Sequence, residues 1–333
     1  MKGRIDIRVS NNRARFMFTL ERNITVVRGD SGTGKTTLYD MIAEYTRLGE
    51  DSGVQVSAPC PCVALVDMDW QNQLSHTKGS VVFIDEGAHY LASREFAAAI
   101  RETDNYYVIF NRENLHELPY SVEEIYRIKT SNRYHTFEKL YRRYEGYVYS
   151  NGRNRRRTPA GVLLTEDSGA GLQLYQHLYE GTAVRCESAG SNSGIFTWLQ
   201  ENHQEGVFVI ADGAAFGAEM DRVMKIQRQY PDQITVCLPE SFEWLILQSG
   251  IVPIDGVQDM MNDPGQQIES AEFFSWERFF TNYLVQHSAG TYYAYSKSSL
   301  HDFYTVRENM GRIVAVIAGN MPGVAETVLP THN

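Results

Sequence analysis

The sequence predicts an α/β fold in two consecutive domains, and three observations carry that expectation. A short apolar run, Ile24-Thr25-Val26-Val27, leads into a glycine-rich turn and then into apolar residues at helical spacing. From residue 160 onward, buried runs again alternate with helical patterns. Charge is unevenly divided: residues 1–158 carry 23 Lys+Arg and 20 Asp+Glu, whereas residues 159–333 carry 8 and 21. Such asymmetry between halves is expected of two domains with different partners.

Of 333 residues, 43% are hydrophobic and 22% charged, enough apolar surface for a sizeable core. That composition excludes a disordered or collagen-like chain. The four cysteines are Cys60, Cys62, Cys186 and Cys237. A Cys-Pro-Cys pair with no second Cys or His pair nearby does not read as a zinc site. No apolar run approaches the roughly 18 residues a membrane span requires, and Met1–Asp6 lacks the apolar core of a secretion signal. The expectation is a cytoplasmic protein without membrane contact.

In the first half, apolar and polar residues alternate over Ile5–Val9 and again over Phe16–Leu20, with Asn11-Asn12 between them. This predicts a β-hairpin with one buried face. The run at 24–27 then opens onto Gly29-Asp30-Ser31-Gly32-Thr33-Gly34-Lys35-Thr36-Thr37, followed by Leu38, Met41, Ile42 and Tyr45. Strand, glycine-rich turn and helix are the context of a phosphate-binding loop. Gly29, Gly32 and Gly34 let successive N–H groups face one anion, and the helix start adds its positive dipole end. Lys35 would reach the β- and γ-phosphates and Thr36 would place its hydroxyl on Mg²⁺.

Such a loop needs an acid on a neighbouring strand, and Val81-Val82-Phe83-Ile84 ends in Asp85-Glu86. Four consecutive apolar residues predict a strand buried on both faces. Asp85 would hold the metal and Glu86 would act as general base toward a water. A further strand, Tyr106–Phe110, ends in Asn111-Arg112. These two residues either sense the γ-phosphate, with Arg112 as an arginine finger, or simply cap the strand. His89 reads as a structural histidine.

These motifs resemble the P-loop NTPase superfamily over residues 1–150. The preceding hairpin and the adjacent Asp85 and Glu86 are most similar to the ABC-type ATPase core. The resemblance implies a P-loop NTPase sheet with an N-terminal antiparallel hairpin, ATP as nucleotide, and Mg²⁺. Gln73-Leu74-Ser75-His76 lacks the glycines of the Leu-Ser-Gly-Gly-Gln signature, and the interval from loop to acid is too short for the usual helical lobe.

The segment 151–159, with Arg153, Arg155, Arg156 and Arg157, reads as a basic linker. Beyond it, at 160–333, lies the second domain. Gly161–Thr165 predicts a buried strand ending in Glu166-Asp167, Val207–Ala211 another ending in Asp212, and Ile234–Leu238 a third leading to Glu240 and Glu243. Open parallel sheets place ligand crevices at such strand ends. The layout is similar to a Toprim domain over residues 160–250, with Glu166 and Gly190-Ser191-Asn192 at matching places. Asp212 matches the first acid of an Asp-x-Asp pair whose second position here is Ala214. The resemblance implies Mg²⁺ on Glu166, Asp212 and a later glutamate, Glu240 or Glu243. Two-metal chemistry needs several carboxylates; with Glu166, Asp167, Asp212 and one of Glu219, Glu240 or Glu243 a single Mg²⁺ is the expectation and a pair is left open.

The combination resembles antiphage ATPase-nucleases of the overcoming-lysogenisation-defect type. It implies ATP-controlled, Mg²⁺-dependent cleavage, a homo-oligomer or partner protein, and nucleic acid bound through basic residues at 127–157. The alternative is a nucleotide-dependent assembly switch with an inactive second domain. A kinase-like phosphoryl transferase is a third reading. The aromatic residues Phe273–Tyr283 suggest core or a subunit contact.

Overall fold

The computed structural model describes residues 1–30, 32–150 and 158–320. They form a mixed α/β protein with two sheets and, among the described residues, 11 α-helices. The chain divides into two compact units.

The first unit comprises Met1–Tyr141 and Asp263–Ser275. Its strands are β1 (Ile5–Ser10), β2 (Arg15–Leu20), β3 (Ile24–Arg28), β4 (Gln55–Ser57), β5 (Cys62–Leu65), β6 (Val81–Ile84), β7 (Tyr106–Phe110), β8 (Ile125–Ser131) and β9 (Tyr134–Lys139). Its helices are α1 (Lys35–Leu48), α2 (Trp70–His76) and α3 (Arg94–Arg101). The sheet runs β4-β1-β2-β9-β8-β3-β7-β6-β5. β8, β3, β7, β6 and β5 form a parallel block, and β3, β6 and β7 are buried at every position, as a sheet covered on both faces requires. β1 and β2 instead alternate buried and exposed residues and pair antiparallel, Ile5 opposite Leu20. Asn11 Oδ1 closes their turn by accepting from Arg13 N at 2.8 Å and Ala14 N at 2.9 Å.

One expectation changes here. The acidic strand β6 is not the neighbour of the loop strand β3, because β7 is inserted between them. The loop and Asp85 are therefore two strands apart, and Asn111 emerges in the gap.

The second unit comprises Arg142–Asn262 and the residues from Trp276 onward. Its strands are β10 (Arg143–Glu145), β11 (Val148–Tyr149), β12 (Ala160–Thr165), β13 (Arg185–Ser188), β14 (Gly206–Ile210) and β15 (Ile234–Cys237), in the order β10-β11-β15-β14-β12-β13. Its helices are α4 (Ala170–Leu178), α5 (Asn192–Glu201), α6 (Met220–Gln229), α7 (Phe242–Ser249), α8 (Val257–Asn262), α9 (Trp276–Ser288), α10 (Asp302–Thr305) and α11 (Arg307–Gly319). β12 to β15 are parallel, and β11 adds an antiparallel edge.

The linker expected at 151–159 falls mostly on 151–157, outside the described residues. Residues 142–150 belong to the second sheet, because Val148 and Tyr149 pair with Cys237 and Val236 of β15. Residues 263–275 return to the first unit, where Ser270 N donates to Met1 O at 2.9 Å and Asn23 Nδ2 to Phe274 O at 2.8 Å. Among the described residues no helix is long and apolar enough to cross a membrane.

Candidate functional site

The first candidate site lies at the carboxyl edge of the parallel block in the first unit. Val27 pairs with Phe110 and Ile109 with Ile84, so Gly29, Asn111 and Asp85 leave the sheet side by side. Gly29, Gly32 and Gly34 adopt φ of 143°, 80° and 102°, a backbone that L side chains rarely accept. A Cβ at Gly32 would meet nothing within 4 Å, so conformation and not crowding requires glycine there. α1 starts at Lys35 with no side-chain cap, which leaves its first N–H groups available to an anion. Thr36 and Thr37 are exposed on that first turn, and Thr33 Oγ1 donates to Asp30 O at 3.0 Å. Ser31 lies outside the described residues.

Lys35 is buried, and its ammonium donates to Gly29 O and, at 3.1 Å, to Asp30 O. It also lies 3.5 Å from Glu86 Oε2. The other Glu86 oxygen pairs with Arg112 Nε. Glu86 is thus shared between two cations. Asn111 is buried and accepts from Glu113 N at 3.3 Å through Oδ1. Glu86, His89, Asn111 and Arg112 line one cavity of about 390 Å³. Burial pushes the Asp85 carboxyl up, and the charges of Asp40 and Glu86 add to the shift.

Among the described residues no group of three or more His, Cys, Asp or Glu side chains is placed to hold a metal alone. Mg²⁺ is commonly held by one or two carboxylates, water and the phosphates of a substrate. Thr36 and Asp85 are oxygen donors of the required kind.

The second candidate site lies in the second unit, where strand order reverses. β13 flanks β12 on one side and β14 on the other, so Glu166 and Asp212 emerge at a topological switch point. Asp212 N donates to Glu166 Oε2 at 3.3 Å, and Asp212 Oδ1 accepts from Phe242 N at 3.0 Å. Glu243 and Asp167 complete the lining with Tyr175, Tyr295 and Lys297, around about 40 Å³ of space. Glu243 is 1% exposed; Oε1 accepts from the Tyr295 hydroxyl at 2.9 Å, and Oε2 has no hydrogen-bond partner.

Lys297 Nζ stands 2.6 Å from Glu277 Oε1 and 4.0 Å from Asp212 Oδ2. Burial works against its charge, yet Asp212, Glu277 and Glu243 outweigh burial and raise its pKa. Burial raises both Glu166 and Asp212; Glu277 adds most to the first, and Glu166 and Glu277 add to the second. The ammonium is the positive charge these carboxylates face. The crevice therefore does not form a ready metal cage.

Of the acids expected here, the structure brings Glu166 and Asp212 together but leaves Glu240 outside. Glu240 Oε1 lies 3.9 Å from Arg143 Nη2. Ser241 caps α7 by accepting from Trp244 N, and the first turn of that helix brings in Glu243 instead. Ser191 likewise caps α5, accepting from Gly194 N at 3.2 Å. Lys297, Glu277 and Tyr295 were not foreseen. The one signal was scarcity, since Lys297 is one of two lysines among residues 159–333. The chain matches no protein-family model and no curated protein.

Proposed function

We propose that the chain is a P-loop-type ATPase whose nucleotide state sets the behaviour of its second, Toprim-like unit. The observation that carries this reading is the shared Glu86. Buried Lys35 is turned onto its own loop carbonyls and onto Glu86, a position from which its ammonium could exchange that carboxylate for a phosphate. A β,γ-phosphate seated on the loop would take Lys35 from Glu86. Glu86 would then accept a proton from the attacking water, while Asn111 and Arg112 face the γ-phosphate from the inserted strand. Mg²⁺ on Thr36 and Asp85 would neutralise charge building on the phosphate oxygens.

Covalent connectivity supports coupling to the second unit. Residues 263–275 are seated in the first unit, and Glu277, which holds Lys297, follows Ser275 by two positions. Lys297 in the crevice and Ala214 in place of a second aspartate favour a binding or assembly switch. A Mg²⁺-dependent nuclease, in the setting of antiphage defence, is the second reading; the unpartnered Glu243 Oε2 favours it.

Hydrolysis of ATP by the full chain, with and without Glu86→Gln, tests the first reading. Phosphate release that vanishes in the variant supports it; no release by the parent with any divalent cation, alone or with added nucleic acid, overturns it. Supercoiled DNA, single strands and tRNA incubated with ATP and Mg²⁺ or Mn²⁺ decide the second. Cleavage lost in Asp212→Ala supports a nuclease, and no cleavage leaves the switch.

A further inference from the structure

Basic residues far apart in sequence meet on one open face of the first sheet. β1, β2, β9 and β8 are consecutive strands. Ile7, Val9, Phe16 and Phe18 turn to the core, while the alternate residues Arg8, Arg15, Met17, Tyr134 and Lys129 are exposed. The registers place Arg8 opposite Met17, Met17 beside Thr136, and Thr136 opposite Lys129. Arg15 stands beside Tyr134. At about 4.8 Å per strand, four strands make a row about 14 Å wide.

Tyr134, the first residue of β9 at the hairpin end of this face, is 47% exposed. The guanidinium carbons of Arg15 and Arg133 lie 5.9 Å and 5.4 Å from its ring centroid. Arg15 N donates to Arg133 O at 2.7 Å, which ties the two hairpins together at this point. A hydrogen bond with Arg133, then its charge and that of Arg15, lowers the Tyr134 phenol. These guanidiniums gather on one face of a chain whose net charge is −10.

Asp6 and Glu138 share this face and are outnumbered by Arg8, Arg15, Arg127, Lys129 and Arg133. Asp6 Oδ1 accepts from Thr19 Oγ1 at 2.5 Å, and Glu138 pairs with Arg127 at 2.7 Å and Lys129 at 3.9 Å. Among the described residues no carboxylate forms an ion pair with Arg8, Arg15 or Arg133. The surplus positive charge therefore faces outward around an aromatic ring.

We propose that this face binds single-stranded nucleic acid without sequence preference, with phosphates on Arg8, Arg15 and Arg133 and a base stacked on Tyr134. Charge complementarity selects a polyanion. An exposed ring flanked by guanidiniums selects an unstacked base, which a duplex does not offer. A membrane is the poorer fit, because Met17 is the only exposed aliphatic side chain in the row and the strands offer no apolar wedge. The surface is separate from the nucleotide loop: on the other side of the same strands, Phe16 stacks with His135 at 4.3 Å, and His135 Nδ1 lies 3.5 Å from where a Gly34 Cβ would stand. The proposal stands independently of ATP binding.

Fluorescence anisotropy of a labelled oligothymidylate of about 20 nucleotides, titrated with the full chain at low salt without nucleotide, tests it. The parent binds, and a duplex of equal length binds more weakly. Tyr134→Ala weakens single-strand binding about tenfold, whereas Tyr134→Phe, which keeps the ring face, stays within about twofold. Replacing Arg15 and Arg133 together by alanine reduces the slope of log affinity against log salt by about 1.4. Lys35→Ala leaves this binding unchanged, so failure of the nucleotide reading and failure here are distinguishable. Absence of binding, equal affinity for the duplex, or parental affinity in Tyr134→Ala overturns the proposal. So does binding to anionic phosphatidylserine vesicles in place of the oligonucleotide.

Discussion

Glu86 Oε2 lies 3.5 Å from the Lys35 ammonium, although Glu86 follows β6, Lys35 opens α1 beyond β3, and β7 lies between those two strands. The general-base candidate thus pairs with the lysine proposed to bind the nucleotide. Glu86→Gln keeps the shape and removes the base. It is expected to retain ATP affinity within a few-fold and to lose hydrolysis by about 10²–10⁴-fold. Single-turnover hydrolysis and equilibrium binding, measured on the same protein, check this; equal loss of both contradicts it.

Asn111 separates loop from acid at the sheet edge, and its neighbour Arg112 holds the other Glu86 oxygen. Arg112→Ala frees that oxygen and removes a positive charge from the γ-phosphate side. Hydrolysis should fall at least tenfold while ADP affinity stays within about threefold, since ADP has no γ-phosphate to contact. Competition binding with ADP beside the rate measurement separates the two effects.

Lys297 faces the crevice of Glu166, Asp212, Glu243 and Glu277. Lys297→Met removes the ammonium and leaves the carboxylates to repel one another. The side chain is 40% exposed, so solvent screening reduces the effect of losing the charge. A loss of about 1–2 kcal/mol is expected at pH 10, above the raised range of these carboxylates. Because burial already raises Glu166 and Asp212, they protonate early as pH falls, and the loss shrinks at pH 5. Urea unfolding at both pH values tests the sign: a larger loss at pH 5 contradicts it.

Glu124 is fully buried, accepts from Thr25 Oγ1 at 3.1 Å and lies 3.8 Å from Arg22 Nε. Burial dominates, and its pKa is pushed up from 4.5 to about 7. A raised folded-state value stabilises fully below the unfolded value and is lost as pH climbs through the folded one. Stability should therefore decline between about pH 4.5 and 7, by up to about 3 kcal/mol from this group. Glu124→Gln should flatten the decline. An equal slope in the variant would place the titration elsewhere.

What could be read from the sequence was what the chain keeps contiguous. The strand at 24–28 and the helix at 35–48 form because the glycine-rich run 29–34 and the apolar spacing after it specify that geometry locally. Asp85 and Glu86 are legible in the same way, as an acidic end to an unbroken apolar run. The insertion of β7 between β3 and β6 was not legible, since pairing order depends on contacts across the sheet. Glu243 and Glu240 lie three residues apart; α7 starts between them, capped by Ser241 and tied to Asp212 through Phe242 N, and it is Glu243 that lines the crevice. Lys297 and Glu277 arrive from an irregular segment and a helix whose sequence reads as core. The Arg15–Tyr134 pair arises from β2 meeting β9, more than a hundred residues later.

Lys35 is proposed to hold a triphosphate on the loop of Gly29, Gly32 and Gly34. Calorimetric titration of ATP with Mg²⁺ into the parent and into Lys35→Ala measures it directly. Saturable one-site binding by the parent, weakened at least a hundredfold in the variant, is the predicted result. Equal affinity in both proteins, or no heat of binding in the parent, would contradict it.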